Sequence, residues 1–246
     1  MRAAGRVVAE IHERTAAAIV PGVTTAALDR IARDVIEQRG ARSNFLGYHG
    51  FPAVVCASTN HVVIHGIPNE RPLDEGDLVS IDCGAIVDGW HADAAYTASV
   101  GKAHKDLRRL SETTRRSLWA GIAEMHEGRR LGDVGHAVQT VVEAAGFAVL
   151  QDYVGHGIGQ ALHEKPDVPN EGEPGKGRKI KVGDTFAIEP MVVVGRPSTK
   201  VLADGWTVVT RDRSMSAHWE HTVAITSDGP EVLTASDVSP ADFGGA

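Results

Sequence analysis

Apolar residues recur along this chain with two periods, and each change of period marks an element. Between residues 4 and 19, Val7, Val8, Ile11, Ala18 and Ile19 fall at or near helical spacing with charges between them. Pro21-Gly22 breaks that helix. Thr24 or Thr25 can cap a second one, with a stripe of Leu28, Ile31, Val35 and Ile36, running to about Arg39 and stopping at Gly40. Helical spacing returns from Lys105 to about His126, and from about Asp133 to Ala145 before Gly146.

The stretches between these helices read as strands and turns. Residues 43–50 form a loop or short strand, Phe51–Ala57 a buried strand, and Asn60–Ile67 a segment ending near His65-Gly66. In the second half, Phe147–Leu150 is strand-like and leads to the Gly-rich run around His156. Residues 170–179 are a polar surface loop, and residues 180–194 read as two strands around Glu189-Pro190. A loop is expected over 195–205, a strand over 206–210, a loop over 211–216 and a last strand over 218–226. The tail from Ser227 is turn-rich and reads as peripheral.

Residues 73–101 carry the most specific pattern. Asp88-Gly89 is a two-residue hairpin turn between two alternating arms. A tight turn pairs Asp82 with Ala95 and Asp93 with Gly84, so both carboxylates share one face. Asp is depleted in strands. Two on one face imply either a wet hairpin or a common partner such as a metal ion.

Composition narrows the function classes. With 246 residues, 42% hydrophobic and 23% charged, the chain is an ordinary globular domain in size and content. A net charge of -7 argues against a general nucleic-acid or membrane-surface role. The local run of Lys102, Lys105, Arg108, Arg109, Arg115 and Arg116 reads as a solvated helix face. Cys56 and Cys83 both lie in apolar surroundings, which fits buried thiols in a reducing compartment. Glu10 and Glu13 interrupt any signal-peptide core, and no apolar run is long enough to span a bilayer. The expectation is a cytoplasmic protein.

The chain also echoes itself. At an offset of 106 residues, Leu28 meets Val134, Val35 meets Val141 and Gly40 meets Gly146; at 107, Ile81-Asp82 meets Ile188-Glu189. The order of elements repeats more clearly than the residues do. This favours a single domain over 1–246 made of two pseudo-symmetric halves, about 1–101 and 105–226, rather than a solenoid.

Candidate ligands are then Asp82, Asp93, His156, Glu189 and Glu220. Carboxylates with one imidazole suit Mn, Fe(II), Co or Zn. Five such side chains exceed the needs of one tetrahedral ion. They suit two ions about 3.5–4 Å apart, which can deprotonate a shared water and polarise a carbonyl. His65 and His163 are second candidates, as substrate donors or as ordinary loop-binding histidines. No nucleophile elbow, phosphate-binding loop, dinucleotide fingerprint or zinc-finger cysteine set is present.

The chain closely resembles the short bacterial form of type I methionine aminopeptidase. The matching blocks are NFLGYHGFPAVVCASTN (44–60), VVIHGIP (62–68), GDLVSIDCGAIVDGWHADAAYT (76–97), DYVGHGIG (152–159), LHEKP (162–166), GDTFAIEPM (183–191) and DGWTVVTRDRSMSAHWEHTVAIT (204–226). This resemblance implies an α/β (α+β) pita-bread fold, a curved antiparallel sheet with outer helices. It implies removal of the initiator methionine from nascent polypeptide N-termini when the second residue is small, by attack of a metal-bridging water on the scissile carbonyl.

The resemblance also implies roles for individual residues. Asp93 and Glu220 bridge two divalent ions (Co, Mn, Fe(II) or Zn), Asp82 completes one, and His156 and Glu189 complete the other. Glu189 is the proton shuttle, His65 assists the leaving nitrogen and His163 binds the carbonyl oxygen. Phe45, Tyr48, Phe51, Cys56 and Trp206 form the methionine pocket. Asn60, Val62 and Ser216 match a monovalent-cation site for Na or K. The implied partners are nascent chains and, transiently, the ribosome; the chain is expected to be a monomer.

Four positions depart from the family pattern: Phe45 and Ile64, where Cys is common; Trp219, where a smaller aromatic is common; and Ala92, where Gly is usual. Ala92 is expected to put a methyl group near the metals. A proline-directed peptidase of the same fold and a non-catalytic peptide- or ribosome-binding relative are the other readings. The first usually carries a long N-terminal domain, and the second is expected to have lost ligands.

Overall fold

The computed structural model describes residues 1–235. Four helices and fifteen strands occur among them: α1 (Arg2–Ala18), α2 (Thr25–Gln38), α3 (Lys105–Ala123), α4 (Leu131–Ala144); β1 (Arg42–Ser43), β2 (Val55–Thr59), β3 (Val62–Ile64), β4 (Leu78–Val87), β5 (Trp90–Ser99), β6 (Ala148–Val149), β7 (Gly155–Gly157), β8 (Glu164–Val168), β9 (Thr185–Ile188), β10 (Met191–Val193), β11 (Thr199–Val201), β12 (Val208–Thr210), β13 (Ser216–His218), β14 (Glu220–Thr226) and β15 (Gly229–Val232). The Thr24 hydroxyl caps α2 by accepting the Ala27 N–H at 3.1 Å. At α4, the Asp133 carboxylate reaches back to the Arg130 N–H at 2.8 Å, which starts that helix two residues before the sequence pattern predicts.

A nine-stranded antiparallel sheet runs β1-β4-β5-β14-β9-β7-β8, with β2 paired to β4 and β15 to β14. Two three-stranded sheets, β13-β10-β6 and β11-β12-β3, flank it. The largest core lies between the helices and one face of the main sheet. Val7, Val8, Ile11 and Leu28 meet Val79, Ile81, Cys83, Ala94, Tyr96, Phe186 and Val223 there. Alternation sets this face: in β4 and β5 the odd- and even-numbered apolar residues, respectively, point to the helices. Two polar contacts fasten α1 to β5 inside this core. His12 Nε2 lies 3.1 Å from the Ala94 carbonyl oxygen, and the Thr15 and Tyr96 hydroxyls are 2.9 Å apart.

Four elements escape the sequence pattern. β7 is three residues long and two of them are Gly, so no apolar alternation announces it. β8 is largely exposed and polar, so no apolar alternation announces it. β11 lies inside the expected 195–205 loop, where its partner β12 supplies the ladder. β15 lies in the stretch expected to be peripheral, yet pairs along β14. Just beyond it, the Leu233 carbonyl seats against Gly5, where any Cβ would come within 1.9 Å of that oxygen. The rest of the tail, 236–246, lies outside the described residues. β2 also begins at Val55 rather than Phe51, so Phe51 itself stands in a loop.

Ala92 does not put a methyl near the acidic residues. It is fully buried in the helix-side core and pairs with Ala85. Asp93, one residue on, faces the other way, because successive strand side chains alternate. Trp219 packs in the same helix-side core, with its indole N–H donating to the Ser111 hydroxyl at 3.1 Å. Among the described residues no helix is long and apolar enough to cross a membrane.

Candidate metal centre

The hairpin register is the one the Asp88-Gly89 turn predicts: Asp82 pairs with Ala95 and Asp93 with Gly84. Both turn residues have positive φ, 50° and 77°, as a tight primed turn requires. Ala95 also pairs with Glu220 on β14. Asp82, Ala95 and Glu220 therefore lie in one row across three strands, with Asp93 one alternation away on the same face. His221 of β14 pairs with Ile188 of β9, so Glu189 follows at the end of β9. On the far side, His156 of β7 pairs with Ala187. The His156 Nδ1 lies 2.8 Å from the Gly157 carbonyl oxygen, which directs Nε2 inward, 3.6 Å from Glu189 Oε1.

Two threonines extend the contacts of β5 where its backbone ladder to β14 stops, Thr222 from β14 itself and Thr97 toward the end of β13. Thr222 Oγ1 accepts the Asp93 N–H at 2.9 Å and donates to the Asp93 carbonyl at 2.7 Å. Thr97 Oγ1 does the same for His218, at 2.9 Å and 2.8 Å. The Asp93 and His218 backbone groups are thus satisfied by side chains where the ladder gives out.

These side chains form the floor of a cavity of about 140 Å³, lined by Phe45, Tyr48, Phe51, Cys56, His65, Asp82, Asp93, His156, Leu162, His163, Glu189, Trp206 and Glu220. No lysine or arginine lines it. Burial pushes the Asp82 carboxyl up to about 7, and pushes Asp93, Glu189 and Glu220 well above the usual carboxylate range, with mutual repulsion adding to it. Burial works oppositely on the imidazoles, lowering His65 and His156 to about 4, with His163 adding to the effect on both; His163 itself is also lowered. Above about pH 5 the His65 and His156 rings are therefore neutral and able to coordinate or to donate one proton. The Cys56 thiol is pushed up by burial and by Asp82, so it is an inert lining group.

The donor set fits divalent cations. Asp82 Oδ1, Asp93 Oδ1 and Glu220 Oε1 are buried with no hydrogen-bond partner. Four carboxyls facing one enclosed space without a cationic side chain need a positive charge there to ionise together. Ligand atoms of Asp93, His156 and Glu220 lie within 4.8 Å of one another, and so do those of Glu189, His218 and Glu220. Shared oxygen-rich groups of this kind suit a pair of ions.

The cavity rim is apolar and comes from loops. Phe51 sits edge-on to Trp206 at 5.1 Å and to Phe45 at 6.4 Å. The Tyr48 hydroxyl lies 2.7 Å from His163 Nδ1. His65, at φ 58°, lies between the rim and the floor, 6.2 Å from Trp206. Asn60, Val62 and Ser216 meet at a different place, where the Ser216 hydroxyl contacts the Asn60 and Val62 carbonyl oxygens at 2.9 and 3.0 Å. Sequence reasoning missed Leu162 and His218. Leu162 had no periodic signal, but His218 stands two residues before Glu220, and strand alternation alone points to it.

Comparison with known proteins agrees with this geometry. The model of metallopeptidase family M24 matches residues 1–227. Methionine aminopeptidase 1 of Mycobacterium tuberculosis is 52% identical over 241 residues, covering 95% of this chain and 91% of that protein. Among solved structures, methionine aminopeptidase from Rickettsia prowazekii superposes with a TM-score of 0.94 at 42% identity, covering 96% of this chain and 95% of that one. The Thermotoga maritima enzyme does so with a TM-score of 0.94 at 43% identity and the same coverage. A curved antiparallel sheet backed by outer helices, a buried acidic floor and these full-length matches together make the chain a member of metallopeptidase family M24, with the pita-bread fold of its methionine aminopeptidases.

Proposed function

We propose that this chain is a dimetal exopeptidase that removes the N-terminal methionine from nascent proteins and peptides whose second residue is small. One observation carries the reading: a floor of four carboxyls and an imidazole lies directly under an apolar, aromatic rim in one enclosed cavity. The floor suits charge and hydrolysis, and the rim suits one unbranched apolar side chain.

Asp82, Asp93, His156, Glu189 and Glu220 would hold two divalent ions, with Asp93 and Glu220 the residues that both ions would share. Cobalt, manganese, iron(II) and zinc all suit this donor set, because affinity alone does not select among them. When bound, the ions supply Lewis acidity and offset the charge of the floor. The chain's own groups do the rest. Glu189, whose burial raises its proton affinity, takes a proton from the attacking water and passes it on. With the Tyr48 hydroxyl donating to His163 Nδ1, the Nε2 proton is left to bind the substrate carbonyl oxygen as charge develops on it. His65, neutral at pH 7, contacts the scissile nitrogen and assists its departure.

Phe45, Tyr48, Phe51, Cys56 and Trp206 hold the methionine side chain by shape and burial. Such a pocket separates close analogues by only about 1–3 kcal/mol per methylene. Asn60, Val62 and Ser216 form the monovalent-cation site, for sodium or potassium. The protein works in the cytoplasm as a monomer of two pseudo-symmetric halves, meeting nascent chains at the ribosome.

The test is cleavage of Met-Ala-Ser, Met-Leu-Ser and Ala-Pro peptides by metal-free protein resupplied with Mn, Fe(II), Co or Zn. Met-Ala-Ser is cut, and the other two are cut poorly or not at all. Metal-restored protein that leaves Met-Ala-Ser intact refutes the assignment, and preferential cutting of Ala-Pro moves it to a proline-directed peptidase.

A further inference from the structure

His218 stands outside the five-residue ligand set, at the end of β13. It is only 2% exposed, and both its backbone N–H and carbonyl are tied to the Thr97 hydroxyl, which fixes where its ring enters the floor. Its Nε2 is buried with no hydrogen-bond partner. That atom lies 3.9 Å from Glu189 Oε2 and 3.9 Å from Glu220 Oε2.

The distance decides between two roles. A charge-assisted N–H···O contact closes to about 2.7–2.9 Å, so 3.9 Å is no hydrogen bond. Donors about 2.0–2.2 Å from a shared ion lie roughly 3–4 Å apart, which includes the observed spacing. The floor thus holds two overlapping donor groups with Glu220 in common. In one, Asp93 and His156 join Glu220; in the other, Glu189 and His218 do. Each group contains one imidazole.

We propose that His218 Nε2 is a sixth metal-ligating side chain, giving this chain a two-histidine centre in which Glu189, His218 and Glu220 hold one ion. The proposal rests on the dimetal reading above. It predicts a more nitrogen-rich centre than the Asp82, Asp93, His156, Glu189 and Glu220 set provides, with closer affinity for the borderline ions cobalt and zinc than for manganese.

Proton NMR of the cobalt(II)-loaded protein tests it without using activity. A histidine that binds through Nε2 leaves an Nδ1 proton that is strongly shifted by cobalt and vanishes in D2O. Wild-type protein with two equivalents of cobalt gives two such signals. His218→Gln removes one of them and weakens cobalt binding about tenfold or more by calorimetry. His156→Gln removes the other signal. A wild-type spectrum with a single exchangeable signal that survives in His218→Gln, in protein that still binds two cobalt ions, overturns the proposal while leaving the dimetal reading intact. Protein that binds no cobalt overturns both. The wild-type count needs no variant to fold.

Discussion

The acidic floor of the cavity rises from strands, whereas its apolar rim is assembled from loops. Asp82, Asp93 and Glu220 are held by the register of three adjacent strands, and Thr222 locks the Asp93 backbone from the neighbouring strand. Phe45, Tyr48, Phe51 and Trp206 come from connecting segments that touch mainly one another. A charged floor needs exact spacing, because a misplaced buried carboxyl is costly, and ladders provide that spacing. A hydrophobic rim needs only volume and closure, which loops can supply and vary.

The comparison breaks most visibly at the floor. Asp93→Asn is expected to cost at least about 100-fold in metal affinity and nearly all turnover, measured by metal analysis beside peptide cleavage; a variant that keeps both ions would remove Asp93 from the ligand set. His163→Ala, at the junction of floor and rim, keeps its metal and loses about 10²–10³-fold in kcat. Loss of metal instead would place His163 in the floor.

A rim change acts on binding alone. Phe51→Ala opens the contact with Trp206 and lowers kcat/KM about 10–100-fold with metal content unchanged. The pH dependence of metal binding separates the regions further. Asp82 is pushed up from 3.8 to about 7 by burial, so below that pH an incoming ion must displace its proton. Apparent affinity therefore falls as pH drops below 7, by about tenfold per unit for each proton released. His156, lowered to about 4, is already neutral and adds no proton over about pH 5–7. Calorimetry in buffers of different ionisation enthalpy reads the proton release directly, and binding independent of pH over that range would contradict the raised floor. The smallest effect belongs to the other face of the same strand. Ala92→Gly costs about 1 kcal/mol, or about 2–4 °C in Tm, and leaves turnover unchanged. A large change in metal affinity there would mean that residue 92 touches the site after all.

The hairpin was the most legible part of the chain. Its Asp-Gly turn and two-residue alternation suffice to set Asp82 against Ala95 and Asp93 against Gly84, because pairing register follows from local backbone geometry. The four helices were legible from apolar period, cap and stop residues, to within a few residues at each end. β7, β8, β11 and β15 were not, because short or exposed strands gain their order from a partner rather than from their own pattern. Ala92 shows the opposite case: it adjoins Asp93 in sequence, yet strand alternation sends the two side chains to opposite faces.

By itself, then, the sequence determined the four helices, the hairpin register and, through its motif blocks, the family. Only the tertiary structure decided that residues from β4, β5, β7, β9 and β14 meet under a rim drawn from separate loops. It alone turned His218 inward with an unpartnered nitrogen between Glu189 and Glu220. Local propensity and period act over a few residues, whereas the charge balance of a buried site depends on side chains more than a hundred residues apart sharing one water-poor space, where burial and repulsion set what each can hold.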